Sequence, residues 1–421
     1  MRTTTYLALI LLTAGCGVEP VVLMDTPVIY HEDGIDPLAH LEKPQRTTSH
    51  SIFYATTRQR RLDSLFEPLA YGNTPATTLQ VGKARVSFGR DLLWEVLHNE
   101  SKSAIRLNEI VMDLTDVWEH GRLAFENGQY KQGELDGADE YFAEINQQLA
   151  LAKDPEILLY VHGAKVNFYN ACVYAAELDH FAGRDMIGIA FAWPTRQNIF
   201  TYAWGDDVLR AQQSAHSLAS FLRLLATRTT ARKINIICWS AGGRLVSRAL
   251  AELFGQEERL TEDPAAIRLG LVVFAAPDVP VHDFVERLPA IDRIAERAII
   301  TASDDDTALT TATVLMGRGQ RMGTSSEDLP EEERIALKLA THVELVDVSR
   351  GKEERGFDIT GHRYWYSHPW VASDIILCVR THLSARERGL EPSEIENVWY
   401  LPKDYPERVR AAAKKALGSS W

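Results

Sequence analysis

The sequence predicts an α/β fold in which helices cover both faces of a mostly parallel sheet. After residue 150, short and continuously apolar runs alternate with helical segments. Strands that are apolar along their whole length are buried on both faces, which is typical of parallel sheets. The composition agrees, because 45% apolar and 24% charged residues in a chain of 421 allow a sizeable core.

The individual elements follow from the pattern of apolar residues. β-branched and aromatic residues predict strands at 51–57 and 81–88, with a turn between them at Gly72-Asn73. An apolar stripe predicts a helix over 139–152. Further strands are predicted at 157–161, 186–192, 234–238, 269–275, 298–301 and 343–348, and further helices at 168–181, 211–226 and 243–254.

The first sixteen residues have the form of an export signal. Arg2 supplies a positive charge, Tyr6–Leu12 is apolar, and small residues lead to Cys16. This stretch resembles a bacterial lipoprotein signal, although Thr13 is an unusual residue for its position. The resemblance implies that a lipidated Cys16 becomes the mature N-terminus. An ordinary cleavable signal is the alternative.

The expected location follows from this signal. The apolar run is too short to span a bilayer. The signal implies anchoring in the bacterial envelope through the lipid on Cys16. Gly17 stands where a retention Asp would keep a lipoprotein in the inner membrane, so we expect the periplasmic face of the outer membrane.

The remaining domain limits rest on composition. Four prolines and scattered charges predict that residues 17–50 form a flexible tether. A hydrolase-type domain is then expected over 51–385, with 51–150 supplying strands and a helix that complete the sheet. Residues 386–421 form a C-terminal extension that packs on this domain or on a neighbour.

Charge and cysteine content exclude several classes of protein. The net charge of −13 disfavours nucleic-acid binding, which needs a basic surface. Cys172, Cys238 and Cys378 are too few and too widely spaced for a disulfide framework or a metal site, and we expect them to be buried. We therefore expect neither a metal nor a cofactor. The oligomeric state is left open.

A candidate nucleophile lies between the strand at 234–238 and the helix that follows it. The sequence reads Cys238-Trp239-Ser240-Ala241-Gly242-Gly243. A nucleophilic serine on a sharp strand-to-helix turn needs small neighbours two residues away on each side. Cys238 departs mildly from the usual glycine. The alternative is that Ser240 only caps the helix.

The catalytic partners are sought after later strands, because the order on this fold is serine, acid, histidine. Asp304, Asp305 and Asp306 follow the predicted strand at 298–301, and His362 follows the predicted strand at 343–348. His362 would accept the serine proton and a carboxylate would orient its ring. The residues alone do not decide which of these three aspartates is the catalytic acid. Asp278 is a further candidate for the acid, and His368 is a further candidate for the base. His282 and His342 are expected to be structural.

An oxyanion hole is expected beside this serine. His162-Gly163 follows the first central strand, and the loop there supplies one N–H on this type of fold. The residue after the nucleophile supplies the other. This predicts that the amides of Ala164 and Ala241 bind the oxyanion. His162 itself is expected to be a hydrogen-bonded scaffold residue.

Together these motifs resemble a bacterial family of lipase- and esterase-like α/β hydrolases, the domain of unknown function 900. The matching stretches are Phe53–Arg58, Tyr160–Gly163, Phe191–Pro194, the Ser240 turn, Ala276–Val279, Ser303–Leu309 and Gly361–Tyr364. The resemblance implies an α/β-hydrolase fold and favours Asp306 as the acid. The sequence departs from the family at Trp239, where His is usual, and at Ala164-Lys165, where an aromatic residue and Asn are usual.

The function expected from the sequence is an envelope-anchored serine hydrolase with the triad Ser240, His362 and Asp306. It would act on a small-molecule or lipid ester through an acyl-enzyme. A thioesterase, amidase or phospholipase is not distinguished. The alternative is a catalytically impaired member that serves as a binding or assembly protein. Four aromatic residues are expected either to line the acyl pocket or to belong to the core: Trp193, Phe200, Tyr202 and Trp204.

Overall fold

One large sheet organises the chain. The computed structural model describes residues 20–31, 34–61, 70–126, 129–131, 137–196, 206–256, 263–303, 321–322, 331–349 and 368–418. Its strands are β1 Val21–Val22, β2 Ser49–Arg60, β3 Tyr71–Phe88, β4 Val111–Glu126, β5 Gln129–Lys131, β6 Ile157–Val161, β7 Ile187–Ala192, β8 Ile234–Trp239, β9 Leu269–Ala275, β10 Ala295–Ala302, β11 Val343–Asp347, β12 Glu391–Pro392 and β13 Val398–Tyr400. Its helices are α1 Trp94–Glu100, α2 Ala138–Leu149, α3 Phe168–Phe181, α4 Asp206–Arg228, α5 Gly242–Gln256, α6 Val281–Ile294, α7 Glu331–Leu339, α8 Pro369–Arg380 and α9 Tyr405–Leu417.

The centre of the sheet is parallel. The strand order is β1-β4-β3-β2-β7-β6-β8-β9-β10-β11-β13-β12, with β5 paired to β4. Every pairing from β2 to β13 in this order is parallel, and the outer pairings are antiparallel. In chain order, β7 is added on one side of β6, and the chain then crosses back to add β8 on the other side of β6. This reversal makes a crevice at the carboxyl ends of β6 and β8, where ligands bind in open α/β sheets.

The two faces of the sheet bury separate cores. In β6, Leu158 and Tyr160 point into the core beneath α3, α8 and α9. Ile157, Leu159 and Val161 alternate with them and point into the core beneath α2, α4, α5 and α6. Because both faces are covered, the central strands are apolar throughout, and the predicted α/β architecture is confirmed. Most predicted strands and helices agree with the structure to within a few residues.

The N-terminal segment corrects one prediction. The described residues 20–31 and 34–50 are not the flexible tether that their prolines suggested. Val21 pairs with Met112 in β4, and Ile29, Tyr30 and Ile35 are completely buried. These apolar residues lie in a two-residue strand, short 3-10 turns and irregular backbone, so they have no periodicity that the sequence could display.

One predicted turn is wrong, and the packing of the C-terminal residues, which the sequence left open, is now known. Gly72-Asn73 lies within β3 and not in a turn, because Arg60 pairs with Tyr71 and the hairpin is longer than predicted. The C-terminal residues up to 418 pack on the domain. β13 extends the sheet beside β11, and the buried Tyr405 hydroxyl donates to Asp374 Oδ1 at 2.8 Å.

The cysteines and helices agree with the expectations for a compact domain. Cys172, Cys238 and Cys378 are free and buried. Across the residues that the structure describes, no helix combines the length and the apolar character needed to cross a membrane.

Candidate active site

Ser240 lies on a strained turn between β8 and α5. Its φ is +52°, in the left-handed region that non-glycine residues rarely adopt. Such a conformation costs on the order of 1–3 kcal/mol and persists only where the surroundings enforce it. Here the Ser240 N–H donates to Ala275 O at the end of β9 (3.0 Å), and Ser240 O accepts from Gly243 N (2.9 Å). These hydrogen bonds to the end of β9 and to the start of α5 hold Ser240 in its strained conformation.

Two glycines allow the turn to pack against the end of β6. A Cβ placed on Gly242 would lie 2.6 Å from Val161 O and 2.8 Å from His162 O. A Cβ on Gly163 would lie 3.0 Å from Ser240 Cβ. The loop after β6 is therefore in contact with the serine, at the crevice formed by β6 and β8.

The residues before Ser240 fit this packing despite their departures from the usual pattern. Cys238 is fully buried, its Sγ lies 3.3 Å from Val273 O of β9, and burial raises the pKa of its thiol. The Trp239 ring lies beside Gly163, with Cε3 3.0 Å from the position of a Cβ there. The Trp239 side chain therefore packs against the loop that follows β6.

This loop carries one of the predicted oxyanion donors. Lys165 has a φ of +64°, which turns the chain sharply after the half-buried Ala164. Ala241 is fully buried at the start of α5. Within the described segments, neither the Ala164 nor the Ala241 amide donates a hydrogen bond to the protein. Both amides are thus available to a ligand atom.

A buried arginine supports the loop from beneath. Arg58, at the carboxyl end of β2, is completely buried, and burial lowers the pKa of its guanidinium to about 9. Its Nη2 donates to Val166 O at 2.6 Å, and its Nη1 donates to Gly72 O at 3.0 Å. Sequence reasoning gave Arg58 no role. The available signal was a single arginine that ends the Phe53–Arg58 motif.

His162 is a scaffold residue, as expected. Its Nδ1–H donates to Gly163 O (2.8 Å), and its Nε2 accepts from Trp193 N (3.1 Å). Burial lowers the pKa of the imidazole well below its ordinary value, so the ring is neutral. The Trp193 indole stacks on this ring and donates to His162 O at 2.7 Å. Trp193 therefore belongs to the core and not to an acyl pocket.

Asp278, the rival acid, is held in a buried ionic cluster. Its Oδ1 lies 3.1 Å from both Arg244 Nη2 and Arg321 Nε, and all three side chains are buried. Its backbone N–H donates to Ser240 O at 3.1 Å. Asp278 thus links the serine turn to Arg321, which lies between two segments outside the described residues. Sequence reasoning did not find either arginine.

The rival base His368 and the two histidines expected to be structural make the following contacts within the described residues. His368 is buried and caps α8, where its Nδ1 accepts from Trp370 N at 3.2 Å. His282 is exposed beside Glu286, and His342 Nδ1 hydrogen-bonds to Asp292 O. The structure thus places His282 at an exposed position of α6 and His342 next to the end of the same helix.

The other predicted site residues lie outside the described residues. These are Asp304, Asp305, Asp306, His362, Cys16, Phe200, Tyr202 and Trp204. The described residues next to them fix only where the segments begin. Ser303 follows the carboxyl end of β10, two strands from β8, and Ser349 follows that of β11. The triad therefore stays a prediction.

Comparison with known proteins identifies the family. A family model described as "Alpha/beta hydrolase of unknown function (DUF900)" matches residues 138–380, more than half of the chain. Among solved structures, the dienelactone hydrolase from Anabaena variabilis ATCC 29413 aligns with 15% sequence identity and a TM-score of 0.31, over 53% of this chain and 83% of that chain. A search of curated proteins found no match. The family match confirms the expected α/β-hydrolase fold, and the chain belongs to this family of α/β hydrolases of unknown function.

Proposed function

We propose that the protein is a serine hydrolase that cleaves carboxylic esters through an acyl-enzyme on Ser240. The observation that carries the proposal is the strained Ser240 turn, with a φ of +52°, packed against the loop after β6. Strain of this kind costs folding free energy and often occurs at functional sites. It is characteristic of a serine whose hydroxyl must be presented at the edge of the sheet.

The proposed reaction has two steps. His362 accepts the Ser240 proton while the serine oxygen attacks the ester carbonyl, and it then gives that proton to the leaving alcohol. Asp306 orients the imidazole and stabilises its charged form. The Ala164 and Ala241 amides donate to the carbonyl oxygen as it becomes negative, and losing one such donor costs about 10²–10³ in rate. Water then attacks the acyl-enzyme by the same route in reverse and releases the acid.

We further propose that the protein is anchored in the bacterial envelope, at the periplasmic face of the outer membrane, through a lipidated Cys16. The signal-like first sixteen residues support this assignment. The intact mass of the mature protein tests it. A mature chain that begins at Cys16 and carries acyl chains is expected, whereas an unmodified N-terminus would contradict the anchor.

A fluorophosphonate probe tests the hydrolase proposal. We expect one probe per chain, attached to Ser240, and no labelling of a Ser240→Ala variant. Ser349→Ala is the matched control, because Ser349 is also 6% exposed and follows another parallel strand at the same edge. Failure of the folded wild-type chain to react, or equal labelling of Ser240→Ala, would contradict the proposal. p-Nitrophenyl esters of graded chain length then measure acyl preference.

A further inference from the structure

Four large apolar side chains are exposed near β1, at the outer edge of the sheet. They are Val22, Leu93, Ile105 and Leu107, with exposed fractions of 43, 69, 80 and 90%, and we call them the apolar patch. Backbone hydrogen bonds join the segments that carry them. Val22 pairs with Val111 of β4, and Gly89, shortly before Leu93, donates to Val111 O at 2.9 Å. Leu23 N donates to Ile110 O at 2.8 Å.

The backbone beneath the apolar patch is held firmly. The buried Glu100 carboxylate accepts from Leu107 N at 3.0 Å and from Asn108 Nδ2 at 2.6 Å. The Arg106 guanidinium donates to Leu23 O at 2.7 Å and to Thr26 Oγ1 at 3.0 Å. Polar groups thus fix the loop from the inside while its apolar side chains face solvent. Grouped apolar side chains in such a setting mark a contact surface.

The position of Cys16 indicates what this surface contacts. Pro20 is the first described residue, and Val21, Leu23 and Met24 directly after it are buried against the domain. Three residues separate it from Cys16, and each of the four steps along an extended chain spans at most about 3.6 Å, so the two Cα atoms are within about 14 Å. An acyl chain on Cys16 therefore brings the bilayer next to β1. This step rests on the proposed lipid anchor.

We propose that the apolar patch rests on a phospholipid bilayer, the one that holds the acyl chains of Cys16. Burying these side chains in the interface adds a second attachment to the lipid anchor. The net charge of −13 favours a zwitterionic surface over an anionic one.

The same contact keeps Ser240 away from that bilayer. Val21 and Phe88 both pair with Met112, while Ser49 pairs with Ser87, so the apolar patch is at the amino edge of the sheet. At the carboxyl edge, Thr56 of β2 pairs with Ala192 of β7. This pair lies eight residues further along the strands than the pair of Phe88 and Met112. At about 3.3 Å per residue the two edges are roughly 25 Å apart. With the sheet seated on the bilayer at its amino edge, we expect the ester to reach Ser240 from the aqueous side.

An environment-sensitive dye tests whether the apolar patch contacts the bilayer. The full lipidated chain carries nitrobenzoxadiazole on Ala104→Cys, an exposed position within the loop, and is reconstituted in phosphatidylcholine vesicles. We expect a blue-shifted emission that lipids with doxyl labels quench. The dye on Thr77→Cys, exposed at the opposite edge of the sheet, is expected to stay unshifted.

Paired substitutions assign the effect to the apolar patch. Ile105→Asp with Leu107→Asp is expected to abolish the shift, whereas Leu209→Asp with Leu339→Asp adds the same charge at exposed leucines elsewhere and is expected to retain it. An unshifted dye at 104, a shift that survives the first pair, or a mature chain without lipid overturns the proposal. Fluorophosphonate labelling of Ser240 in the same samples reports the hydrolase proposal separately.

Discussion

The packing of the serine turn against β6 makes Gly242→Ala a sharp test of the site. The new Cβ would lie 2.6 Å from Val161 O and 2.8 Å from His162 O, whereas real Cβ contacts are essentially never below 3.0 Å. Both of these carbonyl oxygens belong to the buried backbone at the end of β6, so they cannot rotate away from the new Cβ. The start of α5 must retreat by at least about 0.4 Å, and it carries Ser240 with it.

The size of the effect follows from this displacement. Overpacking of a buried site typically costs about 1–3 kcal/mol of unfolding free energy. Reaction rates are more sensitive, because a misplacement of about 1 Å at the reacting centre costs on the order of 100-fold. For Gly242→Ala we therefore expect a loss of about 1–3 kcal/mol in stability and about a 10-fold slower reaction at Ser240.

The assay combines urea unfolding with the rate of fluorophosphonate labelling. Gly255→Ala is the matched control, because it lies at the other end of α5 and its Cβ would meet no atom within 4 Å. That variant is expected to label at the wild-type rate and to gain about 0.5 kcal/mol from helix propensity. If Gly242→Ala labels and unfolds like the wild type, the close approach of the serine turn to β6 is refuted.

Two further predictions concern buried ionisable groups. Arg58→Lys keeps the charge but breaks the paired bonds to two backbone carbonyls, so urea unfolding should show a loss of about 1–3 kcal/mol and labelling of Ser240 should slow; unchanged values would contradict a supporting role. Burial raises the pKa of Glu177 from 4.5 to about 8, while its carboxylate accepts from Met24 N. Its contribution to stability is therefore full below pH 4.5 and is lost as the pH rises through about 8, so wild type should lose on the order of a few kcal/mol more than Glu177→Gln over that range. Parallel urea titrations of both chains at several pH values check this, and equal pH dependence would contradict it.

The central sheet could be predicted because its physics is local. β6, β8 and β9 are buried on both faces, so each appears as a continuous apolar run that ends at the edge of the sheet. The serine turn could be predicted for a similar reason, since small residues on both sides of Ser240 reflect a steric requirement. Cys238, which stands in place of the usual glycine, fits at this position because its side chain is buried against β9.

The N-terminal segment and the supporting charges could not be predicted, because their causes are long-range. Tyr30 is buried because it stacks on Phe181, which is 151 residues away. Arg58 is tolerated in a core because the carbonyl oxygens of Gly72 in β3 and Val166 in the loop after β6 accept its hydrogen bonds. Neither contact leaves a periodic trace in the sequence, and prolines made the N-terminal segment resemble a tether.

The catalytic acid stays a prediction, and the contacts of Asp278 suggest how the rival acids can be told apart. Asp278 is adjacent to Ser240, and its Oδ1 lies 3.1 Å from both Arg244 Nη2 and Arg321 Nε, so we predict that it is a structural anion. Replacing it by Asn would remove the negative charge that contacts two buried guanidinium groups, and breaking such a pair costs about 3–5 kcal/mol. Asp278→Asn is therefore expected to be strongly destabilised.

Asp306→Asn should behave in the opposite way. An acid that only orients the histidine contributes to rate and little to stability, so we expect wild-type urea unfolding and labelling of Ser240 slowed by about 10²–10⁴. Asp304→Asn and Asp305→Asn are the matched controls, being adjacent in the chain with the same change of charge, and should label normally. If Asp278→Asn instead keeps full stability while its labelling disappears, the ionic cluster is not its role and Asp278 is the acid.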